Sequence, residues 1–346
     1  MRSHMNARTR LILTGVAAVA AIGLLAGCTG SGADEGDVVD QGTTDEENAE
    51  AGDTVVIGFS GPAADHGWLG AINSGAQAAA DSFDDVELRV AEGTNDPIAQ
   101  IAAVETFINE GVDAIVLLPT DGAALTEIAI EAMEAGIPVI NVDREFSSPF
   151  AARTTVLGDN YGMGVSAGTY ICEQLGGEGI VAEIAGIDSL PLTQDRSDGF
   201  KDALEDCGLQ VDARVAADFT VAGGEAAASQ LLAANPQIDA LWNHDDDQGI
   251  GVLAAIDAAG RDEFFMMGGA GSRSAMEAIE ADDTVLKATV IYPSTQAADG
   301  VALARLLVQG KTMSDLVTPS VPTRTVLDAP VVTKENVADF IDLSFE

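Results

Sequence analysis

From residue 54 onward, short runs of β-branched and apolar residues alternate with longer stretches whose apolar positions recur at helical spacing. The short runs predict strands over 54–59, 86–91, 114–118, 138–142, 154–157, 180–184, 211–217, 240–242, 264–267 and 287–290. Between them the pattern predicts helices over 69–82, 97–110, 124–135, 162–175, 196–207, 224–234, 249–259, 274–281 and 295–308. Gly111, Gly136, Gly176, Gly208, Gly260 and Gly310 follow helical runs, where a left-handed stop is wanted. Strands that alternate with helices imply parallel sheets covered on both faces, an α/β architecture. The first set of strands ends near Val142, a strand-like link over 151–157 leads to Asn160, and the alternation restarts. Ten strands are more than one doubly wound domain of this length usually holds, so two such domains are expected. Their strands would end at a shared cleft, where ligands of these sheets bind.

Composition narrows the function. The chain of 346 residues has 16 Lys+Arg against 56 Asp+Glu, a net charge of −40, which excludes nucleic-acid binding through a basic face. Hydrophobic residues make up 47%, so the acidity is not that of a disordered protein. Three Cys exclude a disulfide-dense scaffold, and 3 His without an H-x-x-x-H pair argue against a catalytic zinc.

The first residues read as an address. Arg2, Arg8 and Arg10 precede an uncharged, mostly apolar run over 11–25, too short for a membrane span of about 20 residues. Leu25-Ala26-Gly27-Cys28 follows and resembles the lipobox of bacterial lipoproteins. That resemblance implies a signal peptide over 1–27, a lipidated Cys28 and an extracytoplasmic protein anchored to the membrane. The alternative is a plain secretory signal with an incidental Cys. Residues 29–53 hold nine acidic residues and no basic ones, so 28–53 is expected to be a disordered tether. A coil of its length spans roughly 28 Å.

Catalytic and cofactor motifs are missing. The loop after the first strand, Ser60-Gly61-Pro62-Ala63-Ala64-Asp65-His66-Gly67-Trp68, lacks the G-x-G-x-x-G of a dinucleotide site. Gly162-x-Gly164 and Gly249-x-Gly251 fall inside helical stretches and read as packing glycines. No Walker A, G-x-S-x-G or H-E-x-x-H occurs, so neither a cofactor nor a metal is expected. Asp245-Asp246-Asp247 suggests calcium but lacks the alternating spacing of an EF-hand loop. Asp143-Arg144 ends the strand Pro138-Val139-Ile140-Asn141-Val142, at the expected cleft. An acceptor beside a planar donor suits vicinal hydroxyls; a surface ion pair is the plainer reading.

Several fragments in fixed order resemble the periplasmic binding proteins of sugar ABC transporters, of the ribose/galactose type. They are Trp68 with Ser74-Gly75-Ala76-Gln77; Pro119-Thr120-Asp121; the Ile137–Arg144 run; Gly158-Asp159-Asn160; Asp195-Arg196-x-x-Gly199-Phe200; Ala217-Asp218-Phe219; and Asn243-His244-Asp245 running on to Gly251. The resemblance spans 54 to about 346. It implies two Rossmann-like lobes joined by three hinge segments, the first over 54–157 with about 293–323, the second over 158–292 with about 324–346. It also implies ligand contacts from Asp65, His66 and Trp68, from Asp143 and Arg144, from Arg196, Phe219 and Asp245, and from Tyr292 near the hinge. Trp68 and Phe219 would cover the C–H faces of a sugar ring. One departure is plain: where the family often carries a carboxylate after a second-lobe strand, this chain has Ala270 in Met267-Gly268-Gly269-Ala270-Gly271. The ligand is therefore left open among pentoses, hexoses and polyols.

The implied function is capture of a sugar for an ABC permease, by a monomer. A sensor of the same fold signalling to a membrane receptor is an alternative. An anchored hydrolase using paired carboxylates is another, without a nucleophile motif to support it. Cys172 and Cys207 are candidates for a disulfide in an oxidising compartment; two buried thiols are the alternative.

Overall fold

The computed structural model describes residues 43–313 and 321–346. The signal segment, Cys28 and the first part of the tether lie outside the described residues.

The described residues open with α1 (Asp45–Ala49) and then alternate strands and helices. β1 (Val55–Ser60), α2 (Gly67–Asp81), β2 (Val86–Val90), α3 (Pro97–Glu110), β3 (Ala114–Leu117), α4 (Gly122–Glu134), β4 (Val139–Val142) and β5 (Thr154–Gly158) come first. Then follow α5 (Asn160–Leu175), β6 (Val181–Ala185), α6 (Pro191–Asp206), β7 (Val211–Ala216), α7 (Val221–Ala234), β8 (Ala240–Asn243), α8 (Asp246–Ala259), β9 (Phe265–Ala270), α9 (Arg273–Ala281) and β10 (Leu286–Ile291). The chain ends with α10 (Gln296–Val308), β11 (Arg324–Leu327), β12 (Val331–Thr333) and α11 (Val337–Phe340).

Among the described residues two six-stranded sheets result, ordered β11-β5-β4-β3-β1-β2 and β12-β10-β9-β8-β6-β7. Every pairing is parallel except β12 with β10. Central strands β3, β4 and β8 are buried along their whole length, as expected of strands covered on both faces. Strand β7 lies at an edge and alternates, with Asp212 and Arg214 among its polar residues. The expected α/β class and the pair of parallel sheets are both present.

Six of the helix starts are set by side-chain caps. Asp96, Asp121, Asp159, Thr220, Asp245 and Ser272 each accept a backbone N–H from the first turn. The six expected glycine stops all have positive φ, among them Gly111 at 67° and Gly260 at 64°. In the second lobe, helices cross backbone to backbone. A Cβ on Gly164 would overlap the Arg196 carbonyl, and one on Gly251 would overlap the Val221 carbonyl. Cys172 and Cys207 are joined by a disulfide, which ties α5 to the end of α6.

Two expectations need correction. Residues 43–53 are not a disordered tether. Thr44 and Glu47 form a reciprocal capping box that starts α1. The Arg305 guanidinium donates to the carbonyls of Asn48 (2.7 Å) and Glu50 (2.9 Å) and to both oxygens of buried Asp85 (2.6 and 2.7 Å). Gly52 N–H donates to Asp85 at 2.6 Å, and Thr43 bonds to Thr312. These contacts use the backbone of the segment, so its acidic side chains do not prevent docking. The second correction concerns 324–346. β11 pairs with β5 in the first sheet, in register Arg324↔Thr155 to Leu327↔Gly158. The chain enters the second sheet only with β12, because β11 is needed to cover the open edge of β5.

Candidate functional site

The site forms where the two sheets face each other with the C-terminal ends of their strands. The end of β4 supplies Asp143 and Arg144. Asp143 has φ 62°, a left-handed backbone that turns its carboxylate inward. Arg144 is held by carbonyls of the β3–α4 loop, donating to Thr120 O at 2.9 Å and to Pro119 O at 3.4 Å. Its Nε stands 3.8 Å from Asp143 Oδ2 and is buried without a hydrogen bond.

A chain of hydrogen bonds then crosses from one lobe to the other. The Tyr292 hydroxyl donates to Asp143 Oδ1. Asn160 Nδ2 donates to the same hydroxyl at 3.0 Å. Arg196 Nε donates to Asn160 Oδ1 at 2.9 Å, and its other end donates to the His244 carbonyl at 3.2 Å. Neutral groups thus link a first-lobe carboxylate to a second-lobe guanidinium. Burial, then the Asp143 charge, holds the Tyr292 hydroxyl above its usual range, so it stays a donor. The guanidinium lies 4.5 Å from the Tyr292 ring centre and 5.9 Å from that of Phe219, within cation–π range.

Aromatic rings line the rest. Trp68 donates its indole N–H to the Tyr292 carbonyl at 3.1 Å and packs 5.4 Å from the Tyr292 ring. Phe219 has φ 67°, and its ring lies over Gly186, where a Cβ would overlap it. Its N–H is held by Gln248 Oε1 at 2.9 Å. His66 stacks on Phe219 at 6.2 Å.

Asp245 caps α8 through Gln248 N (3.0 Å) and faces the same cavity. Burial, reinforced by the Asp247 charge, raises its carboxyl well above the usual range. The next residue, Asp246, gathers the turn after β9. It accepts N–H groups from Gly269 (2.9 Å), Gly271 (2.8 Å) and Ser272 (2.8 Å) and the Thr289 hydroxyl (3.0 Å). This grip holds Ala270 at φ 92°, a conformation that alanine rarely adopts. Asp247 reaches across to the Trp68 N–H at 3.2 Å. The three aspartates therefore have three separate structural tasks. Among the described residues no His/Cys/Asp/Glu group is arranged to hold a metal.

Eight of the nine residues expected at the site line one cavity: His66, Trp68, Asp143, Arg144, Arg196, Phe219, Asp245 and Tyr292. Asp65 does not. Its side chain is 42% exposed, and its oxygens are taken by His66 Nδ1 (2.7 Å) and Asn95 Nδ2 (2.8 Å). It orients the imidazole instead of facing the cavity. Leu192 joins the lining without having been expected. The signal was there: Leu192 and Arg196 are four apart on α6 and share a helix face. Asn160 was noted only as part of a motif, yet it is the middle of the cross-lobe chain. The cavity leaves about 30 Å³ for the centres of water molecules, space for about two of them.

Comparison with known proteins gives this geometry a lineage. The sequence pattern of the family described as "Periplasmic binding protein domain" matches residues 57–312. Ribose import binding protein RbsB of Bacillus subtilis is 32% identical over 61% of this chain and 70% of its own length. The D-ribose/D-allose-binding protein of Pseudomonas aeruginosa is 30% identical over 67% of this chain and 74% of its own. An ABC transporter solute binding protein from Bacillus halodurans, solved with bound myo-inositol, superposes with a TM-score of 0.76. It is 26% identical, and the match covers 84% of this chain and 98% of that one. The chain belongs to the periplasmic binding protein family.

Proposed function

We propose that the protein is a lipid-anchored, extracytoplasmic solute-binding protein. It captures a sugar or polyol between its lobes and hands it to an ABC importer. Membership in a family of binding proteins sets it apart from enzymes. The observation that carries the reading is the convergence of Asp143 and Arg144 with Arg196, Phe219 and Asp245, from opposite lobes, around one cavity.

The chemistry follows from the inventory of groups. Sugar hydroxyls both donate and accept, so they need carboxylate acceptors beside guanidinium donors. Asp143 with Arg144 offers that pair from the first lobe, and Asp245 with Arg196 offers it from the second. Trp68, Phe219 and His66 supply flat surfaces for the ring's C–H faces. The cavity in this closed arrangement is smaller than a sugar. Entry therefore parts the lobes, and ligand hydroxyls take over the bonds of the Arg196–Asn160–Tyr292 chain. A ligand that bridges both lobes favours closure by its differential affinity.

A thermal-shift screen across pentoses, hexoses and polyols identifies the ligand, because native-state binding raises the melting temperature. Hydrogen bonds to charged groups contribute about 1.5–3 kcal/mol each, and truncation leaves partners unpaired. Asp143→Ala is therefore expected to weaken binding roughly 100-fold, read by calorimetry. A folded variant binding within a few-fold of wild type places the sugar elsewhere. For the anchor, Cys28→Ser is expected to release the protein from membranes; continued membrane association in cell fractions refutes lipidation at Cys28.

A further inference from the structure

The inner cavity does not end at Asp143, Arg144 and Leu192. The same three residues also line a second chamber, which opens about 380 Å³ to water centres against about 30 Å³ inside. At about 30 Å³ per water it has room for roughly a dozen water molecules, more than one sugar ring displaces. Arg144 forms the partition. Its guanidinium is fixed by the Thr120 and Pro119 carbonyls, so the wall between the compartments is rigid on the first-lobe side.

We propose that the chamber is a second sugar subsite and that the protein binds a disaccharide-sized ligand, one ring on each side of Arg144. This rests on the reading of the inner cavity as a sugar site. The outer walls are mixed in the way a sugar ring requires. Phe146 and Leu157 of the first lobe face Leu190 and Pro191 of the second, giving apolar surface for C–H faces. Among these walls stand Asp121, Ser189 and Asp195. Asp121 uses one carboxylate oxygen to cap α4. Asp195 has no hydrogen bond or ion pair among the described residues. Burial, then the charge of Asp198, raises its carboxyl above the usual range. A partly desolvated acceptor without a partner gains from a hydroxyl. The acids also disfavour a phosphate or uronate in this chamber, which leaves neutral sugars as the class that fits. Both lobes contribute walls, so the second ring would strengthen closure as well as affinity.

The test compares sizes on the full mature protein by calorimetry. The probes are D-galactose against lactose and melibiose, D-glucose against maltose and trehalose, and D-fructose against sucrose. At least one disaccharide is expected to bind tenfold or more tighter than its monosaccharide. Ser189→Trp, at an exposed chamber wall, is expected to erase that advantage while monosaccharide binding stays within twofold. Asp195→Asn is expected to cut only the disaccharide affinity, by a few-fold. Monosaccharide binding with no disaccharide advantage overturns the second subsite and leaves the sugar reading intact. So does a Ser189→Trp effect equal on both sizes. If no sugar of either size binds, the sugar reading itself fails and the subsite falls with it.

Discussion

At the base of the first lobe, a buried ion pair between Asp85 and Arg305 joins β2, α10 and the N-terminal segment 43–53. The second lobe has a looser counterpart: buried Glu183 meets the partly exposed Arg214 guanidinium at a single contact of 3.3 Å and His244 Nε2 at 2.9 Å. It holds α5 to α6 by a disulfide and by glycines that let helix backbones touch. Another of its buried carboxylates, Asp246, is met by backbone N–H groups and a hydroxyl instead of a guanidinium. The first lobe is thus braced by one fully buried, two-contact ion pair, and the second by a covalent link, neutral donors and a one-sided Glu183–Arg214 contact. The same fold built twice in one chain therefore responds to different perturbations on its two sides.

The largest effect is expected from breaking the first brace. Arg305→Ala leaves Asp85 buried and uncompensated, which costs about 3–5 kcal/mol. It also frees segment 43–53. Urea unfolding followed through Trp68 should show the loss, with the Trp242 signal of the second lobe shifted less. Equal shifts in both probes would mean that the lobes unfold as one unit and that the contrast has no energetic content.

Reduction of Cys172–Cys207 comes next. The two residues are 35 apart in sequence, and a loop of that size is restrained by about 3–4 kcal/mol in the unfolded chain. Reductant, or the double Cys→Ser variant, should lower the Trp242 transition and leave the Trp68 transition nearly in place. A first-lobe transition that moves equally with reductant breaks the comparison.

The smallest effect is a dependence on pH of opposite sign. Hydrogen bonds from Arg305 hold the Asp85 carboxyl well below the usual range. Its stabilisation is full above the unfolded value near 4 and is lost as pH falls below it. Burial pushes Asp246 up to about 7. Between about 4 and 7 the folded chain keeps a proton that the unfolded chain has released, so second-lobe stability falls as pH rises through that window. Each such group contributes a slope of at most about 1.4 kcal/mol per pH unit; Asp245, raised by burial as well, adds to it, and His244, held below its usual range by burial, opposes it. Midpoints read at Trp242 should decline from pH 5 to 7 while those at Trp68 hold steady. A rising Trp242 midpoint would mean that the buried, neutral His244 outweighs the two raised carboxyls.

Much of this was readable beforehand because the signals are local. Buried runs such as Ala114–Leu117 and glycine stops such as Gly260 need no knowledge of the rest of the chain. Helix starts were read late: α6 begins at Pro191, five residues before Arg196, because a proline at the first helical position outweighs apolar spacing there. β11 and β12 were missed, being three or four residues long, partly exposed and dependent on partners far away in sequence. Segment 43–53 was misjudged by its charge, although Thr44-x-x-Glu47 is a legible capping box. At the site, residues at strand ends, such as Asp143, could be placed from the pattern. The link from Asn160 to Tyr292 spans 132 positions and exists only once both lobes have folded.

That link has a mechanical side. Asn160 opens α5 just after β5, and Tyr292 follows β10 on the way back to α10, so both lie where the chain passes between the lobes. Any opening turns about a line close to them, and displacement grows with distance from that line. Asp143, Tyr292 and Asn160 work at a short radius, like a bearing. His66 and Phe219, brought by loops from opposite lobes, work at a longer one. A small rotation that barely alters the bearing would unstack those two rings first. The His66–Phe219 separation, 6.2 Å here, therefore serves as a gauge of how far the molecule has opened.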